Sequence, residues 1–189
     1  VLMEDSWGNA VYFVIAGWVK VRRHSKDEVV TLAILSRGDF FGEMAVLDES
    51  PRSTDVIALS PVKLLSIPAQ KFVQTLFKDP QLHHRMLQLM VRRLRQTNYR
   101  FQLHKLPSAI KLANTLTFMG ENYGHKTSQG IEIFNIPLED LANVTDISLD
   151  ETTKIMEKLE SKGILQRDFS RQVLRLTQFN QLSQLAKRT

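Results

Sequence analysis

The chain of 189 residues contains no cysteine. That absence excludes a disulfide framework, a thiolate zinc site, a cysteine nucleophile and a cysteine-ligated iron–sulfur cluster, so nothing here senses redox state through sulfur. Glycine and proline are sparse too, at 8 and 6, and neither a low-complexity tract nor an internal repeat occurs. No apolar run approaches the roughly 18 to 20 residues that span a bilayer, and the start lacks the basic-then-apolar order of a secretory signal. A soluble, cytoplasmic protein without a membrane partner is expected. GxSxG, HExxH, P-loop and dinucleotide fingerprints are all missing, as are paired carboxylates beside a base, so no enzyme is expected. The five histidines form no spaced ligand motif, and no metal site is expected. The chain starts at Val1 and not at Met, from which a missing upstream portion is expected.

What is present is ordinary for a folded protein: 43% hydrophobic and 24% charged residues. The length suits one domain or two small ones, and two fit the patterning better. The net charge of +5 is unevenly placed, with 15 basic and 10 acidic residues in 1–107 against 10 and 10 in 108–189. Six of the cations, Arg85, Arg92, Arg93, Arg95, Arg100 and Lys105, fall in a single helical stretch.

Short β-rich runs occupy 11–16, 18–24, 29–35, 39–41, 54–59 and 62–67, punctuated by Gly17 and by Arg37-Gly38-Asp39, with 25–28 a polar hairpin tip. They describe an all-β unit. After Pro68 the period changes, and 69–78 reads as a helix that stops before Asp79-Pro80. From 80 to 106 neither glycine nor internal proline interrupts a helix of about 27 residues, roughly 40 Å long. Leu87, Met90, Leu94, Thr97, Phe101 and His104 recur at spacings of 3, 4, 3, 4 and 3. That is the a/d seam of a coiled coil, and it predicts a homodimer.

Pro107 breaks the helix and is a hinge candidate, with Ser108 expected as the next N-cap. Beyond it the pattern predicts a helix at 110–119, a polar loop at 121–130 and a strand at 131–136. Helices at 138–144 and 148–162 then flank a turn at 145–147, and a hairpin spans 164–177 with Phe169-Ser170-Arg171 at its tip. Ser148 and Glu151 read as a capping box and Gly163 as the C′ residue. Helix, short turn, helix, hairpin is the order of a winged helix-turn-helix. The expected class is α+β: a β-roll over 1–79, a long dimerisation helix over 80–106, and a winged helix-turn-helix domain over 108–189.

The sharpest motif is Gly38-Asp39-Phe40-Phe41-Gly42-Glu43-Met44-Ala45-Val46-Leu47, followed by Pro51-Arg52-Ser53-Thr54. Glycines let a backbone approach an anion, and a short helical turn after Gly42 would aim N–H groups at phosphate oxygens. Arg52 would clamp that phosphate with planar donors, Ser53 would add a hydroxyl, and Glu43 would accept from a ribose 2′-hydroxyl. A plain Glu43–Arg52 ion pair around a turn is the alternative.

These residues resemble the phosphate-binding cassette of cyclic-nucleotide-binding domains, in which the nine-residue separation of Glu43 and Arg52 recurs. Over nearly its whole length the chain resembles the cyclic-AMP receptor protein and fumarate–nitrate regulator (Crp/Fnr) superfamily of bacterial transcription factors. The family's amino-terminal helix and first strand have no counterpart here. The resemblance implies cyclic AMP as allosteric ligand with no cofactor, bound through Gly42, Glu43, Met44, Arg52 and Ser53. Thr97 aligns with a threonine that contacts adenine, and Asn98 with a serine that the partner chain supplies. The implied partners are a palindromic double-stranded DNA operator, a second copy paired through Leu87, Met90, Leu94, Thr97 and Phe101, and RNA polymerase. The family's base-reading Arg, Glu and Arg correspond to Leu149, Asp150 and Lys154. Leu149 cannot make a bidentate guanine contact, so a different DNA target or a lower affinity is expected. Ser148, Thr152, Thr153, Lys154, Lys158 and Arg171 are the remaining DNA-contact candidates. The neutral balance of 108–189 argues for weak nonspecific affinity. Another effector, such as 2-oxoglutarate, no effector at all, or an interaction module with weakened DNA binding are the alternatives.

Overall fold

Apolar residues alternating with polar ones build the first half of the chain into two antiparallel sheets that share a core. In the computed structural model, which describes residues 1–25 and 28–187, the chain divides into two units, Val1–Gln102 and Leu103–Thr189. Of the expected hairpin tip at 25–28, residues 26 and 27 lie outside the described residues.

The first unit contains β1 (Ala10–Ala16), β2 (Val19–Ser25), β3 (Glu28–Leu35), β4 (Phe40–Phe41), α1 (Glu43–Leu47), β5 (Asp55–Ala58), β6 (Lys63–Pro68), α2 (Ala69–Lys78) and α3 (Pro80–Leu103). One sheet has the order β4-β1-β6 and the other β3-β2-β5. Val14, Val19, Leu35, Phe41 and Val56 fill the core to which both sheets contribute. A second cluster, Val11, Phe40, Val46, Phe72 and Met86, ties the strands to α1, α2 and α3. Adjacent residues of β4 thus serve different cores, as period-2 alternation requires. The chain before β1 lies along β5: Leu2 bridges Val56, Trp7 bridges Pro51, and the Glu4 N–H donates to Asp55 Oδ1 at 2.8 Å. Asp55 also meets Arg22 and His24, each at 3.0 Å.

The long helix ends at Leu103, three residues before the expected 106. Leu106 donates to the Leu103 carbonyl in a tight turn, because the residue ahead of Pro107 is biased away from helical backbone. Ser108 is not an N-cap. It is the first residue of α4 (Ser108–Tyr123), and the cap is Pro107, whose carbonyl accepts from Ile110 and Lys111.

The second unit continues with β7 (His125–Thr127), β8 (Gly130–Phe134), α5 (Leu138–Thr145), α6 (Leu149–Ser161), β9 (Gln166–Asp168), β10 (Val173–Leu176) and α7 (Phe179–Ala186). The sheet order is β7-β8-β10-β9. Leu112, Leu116, Leu141, Met156, Leu174 and Leu182 are among its fully buried side chains. Two elements were not expected. β7 takes up part of the predicted polar loop, and α7 packs on α4, where a Cβ on Gly120 would stand 2.7 Å from the Phe179 ring. The end of α6 follows expectation, with Gly163 at φ 66 and the Ile164 N–H donating to the Leu159 carbonyl at 3.0 Å. The architecture is α+β, with a β-roll and a helix-turn-helix whose wing is β9–β10.

The Asp55 cluster makes the fold of the first unit pH-sensitive. The Glu4 N–H and the His24 ring hold the Asp55 carboxyl down at about 2, with burial opposing them and Arg22 assisting. A depressed carboxylate stabilises the folded state fully above its ordinary range, and that contribution disappears as pH falls from about 4 toward 2. Asp55→Asn should therefore flatten the acid limb of melting temperature against pH over that window. An unchanged slope would show that the cluster contributes nothing.

Candidate functional site

Gly42 has φ 83 and caps α1, which places Glu43 in the first helical turn. Glu43 is 3% exposed. Its Oε1 accepts from Arg93 Nη1 of α3 at 2.6 Å, while Arg93 Nη2 donates to the Phe40 carbonyl at 2.7 Å. The Arg93 guanidinium also stands 4.4 Å from the centroid of the Phe40 ring. A buried carboxylate requires such a partner, since an unpaired charge away from water is strongly unfavourable.

Arg52 is 5% exposed and makes no ion pair with Glu43. Its Nη2 donates to the Ala10 carbonyl at 3.1 Å and its Nη1 to the Gly42 carbonyl at 3.5 Å. Glycine at 42 is needed twice: for the positive φ, and because a Cβ there would lie 2.5 Å from Arg52 Nη1. Burial pulls the guanidinium below its ordinary range, with Tyr12 and Glu43 opposing. The site therefore gathers two guanidinium cations and one carboxylate around Gly42. The three groups together carry one net positive charge, with Glu43 and Arg52 buried and Arg93 partly exposed, which suits an anion. The plain Glu43–Arg52 ion pair is not what the chain builds.

Met44 and Ser53, adjacent to these groups in sequence, are exposed. Thr97 lies one turn beyond Arg93 on the same face of α3, its hydroxyl donating to the Arg93 carbonyl at 3.1 Å, and Asn98 is exposed beside it. Arg93 was counted in the sequence only as one of six helical cations. The signal that could have singled it out is the spacing Met86, Met90, Arg93: Met86 is buried, and Met90 packs partly against the same cluster.

The expected a/d seam accordingly divides. Leu87, Leu94 and Phe101 are exposed, Phe101 by 82%, and Val91 joins their stripe. Met90 instead packs partly against its own unit, and Thr97 sits on the Arg93 side. His104 lies beyond the helix, 2.6 Å from Asp146 Oδ2.

In the second unit the Ser148 hydroxyl accepts from the Glu151 N–H at 3.3 Å. Leu149, Asp150, Lys154 and Lys158 are exposed. Asp150 and Lys154 pair at 2.6 Å, which raises the Lys154 ammonium above its ordinary range. Thr153 is half-buried, and its hydroxyl donates to the Leu149 carbonyl at 2.8 Å. Arg171 reaches Glu132 at 3.4 Å, beside the closer Arg175 at 2.7 Å. Thr152 is not a DNA-facing residue. It is 0% exposed, on the seam that Met156 and Leu159 continue at spacings of 4 and 3.

No group of histidine and carboxylate side chains among the described residues could hold a metal ion. Among them, no helix is long and apolar enough to cross a membrane.

Comparison with known proteins bears on the fold and on the kind of protein, not on single residues. Residues 1–79 match the cyclic nucleotide-binding domain family. The cyclic AMP receptor protein of Thermus thermophilus is 27% identical over 168 residues, covering 87% of this chain and 74% of that protein. A global nitrogen regulator of Nostoc is 27% identical over 160 residues, covering 82% and 72%. Among solved structures, FixK2 from Bradyrhizobium japonicum superposes with a TM-score of 0.83 at 17% identity, covering 100% of this chain and 93% of that one. A CRP-family transcriptional regulator from Thermus thermophilus gives 0.78 at 20% identity, covering 98% and 92%. The nitrogen regulator and the CRP-family protein among them are regulators by name. Over most of its length the chain is thus similar to Crp/Fnr-type transcriptional regulators, and its first 79 residues match a cyclic nucleotide-binding domain.

Among the described residues, the buried Thr152 hydroxyl has no hydrogen-bond partner, a state that costs about 1 to 3 kcal/mol. Thr152→Val, equal in shape, should raise stability to urea by about 1 kcal/mol. A loss of stability would mean that the hydroxyl is satisfied.

Proposed function

We propose that the chain is a homodimeric regulator that binds cyclic AMP in its first unit and palindromic double-stranded DNA with its second. The observation that supports this most is the gathering of Arg52, Arg93 and Glu43 around Gly42, a largely buried site with one excess positive charge to which the partly exposed Arg93 contributes. In this reading Arg52 takes the cyclic phosphate with Ser53, Glu43 takes the ribose 2′-hydroxyl, and Met44 borders the ligand. Thr97 and the partner copy's Asn98 contact the adenine. Because Arg93 already joins Glu43 to α3, a ligand on Glu43 acts directly on the helix through which two copies pair. The two recognition helices then face successive major grooves about 34 Å apart. The regulator acts in the cytoplasm, with RNA polymerase as its further partner. A second reading, a different small effector or none, is favoured by one observation: Glu43 is already engaged by Arg93.

Calorimetric titration separates the two. One cyclic AMP per chain should bind, more tightly than cyclic GMP, and Arg52→Ala should weaken it at least tenfold. No heat with either nucleotide would favour the second reading, and unchanged affinity in Arg52→Ala would remove that residue from the site.

The exposed stripe of Leu87, Val91, Leu94 and Phe101 supports the dimer, since stripes of this kind are normally covered. Sedimentation should give a dimer at micromolar concentration and a monomer for the Leu94→Glu, Phe101→Glu double variant. A monomeric parent chain would contradict the reading.

A further inference from the structure

We infer that Leu149 reads thymine: each operator half-site carries a thymine whose C5 methyl packs on this side chain. The inference rests on the DNA-binding reading above and names the chemistry of its target. In the first two turns of α6, most polar side chains that could face bases are engaged within the helix; the exposed Glu151 carboxylate is the exception, an acceptor that DNA phosphates repel. Asp150 and Lys154 close on each other at 2.6 Å, and the Thr153 hydroxyl donates to the Leu149 carbonyl at 2.8 Å. Ser148 is occupied by the Glu151 N–H, and Thr152 points into the core. An exposed i,i+4 ion pair is weak, so Lys154 can still turn to a phosphate, a contact that positions the protein and specifies no sequence.

Beside Glu151 that leaves Leu149, the first residue of α6, 44% exposed. In the second unit the only other large apolar side chain so exposed, among the described residues, is Phe169 at the wing tip. Large apolar groups are thus exposed in this unit at the two places where a winged helix meets a duplex. The edges that bases present in the major groove are donors and acceptors with one apolar exception, the thymine methyl. Leucine has nothing to offer the two acceptors of guanine, and against the methyl it removes apolar surface from water on both sides.

The test selects duplexes from a random library with the full chain, with and without saturating cyclic AMP. Each thymine of the enriched half-site is then replaced by deoxyuridine, which deletes only the methyl. At one position this should weaken binding about fourfold per half-site, the worth of one buried methyl. Leu149→Ala should bind the thymine and deoxyuridine duplexes equally, and Leu149→Arg should shift selection at that position from thymine to guanine. Melting temperatures matching the parent chain establish that both variants fold. If every thymine tolerates deoxyuridine, or Leu149→Ala keeps the deoxyuridine penalty, the inference is overturned and DNA binding stands. No enrichment under either condition overturns the DNA-binding reading and the inference with it.

Discussion

Glu43 is 3% exposed, and its carboxylate meets the Arg93 guanidinium at 2.6 Å. A carboxylate withdrawn from water is stable only with a partner, and removing one member of a buried pair costs about 3 to 5 kcal/mol. Arg93 is partly exposed, so the lower end of that range applies. The pair fixes the position of α3 against the roll, because Arg93 also donates to the Phe40 carbonyl and stands against the Phe40 ring. It also decides what surrounds Gly42: with Glu43 turned to Arg93, Arg52 lies against the Ala10 and Gly42 carbonyls. A buried pair of this kind is weak evidence for stability and better evidence for a fixed geometry. Here that geometry joins an anion-suited site to a helix with an exposed apolar stripe.

Much of this was legible in the residues. Alternating apolar runs marked the strands of the roll, and glycine with acidic and basic residues at fixed spacing marked the turn around Gly42. Ser148, Glu151 and Gly163 bounded α6. What escaped had physical reasons. Arg93 and Glu43 are 50 residues apart, and no local pattern announces a long-range ion pair. The a/d spacing of α3 identified apolar positions without saying which would face the helix's own unit, so Met90 and Leu94 read alike although only Leu94 is exposed. Thr152 stands among the DNA-contact candidates of the sequence, whereas its register with Met156 and Leu159 assigns it to the core. β7 and α7, at three and eight residues, are too short for periodicity to declare them.

The two units divide the chemistry. The first buries Glu43 against Arg93 and holds Arg52 against backbone carbonyls, where salt screens charge less than at the surface. The second carries equal numbers of basic and acidic residues over 108–189, a balance that gives little nonspecific attraction to a polyanion. In the proposed reading the effect of a ligand in the first unit on DNA binding by the second is a coupling between sites, which typically amounts to about 5- to 150-fold.

The central claim is that Arg93 carries this coupling. The direct measurement is the DNA affinity of the parent chain and of Arg93→Met, each with and without saturating cyclic AMP. The account predicts that cyclic AMP tightens DNA binding of the parent chain at least fivefold, and that Arg93→Met still binds the nucleotide yet gains nothing on DNA. An Arg93→Met chain that keeps the full cyclic-AMP-dependent gain would contradict it.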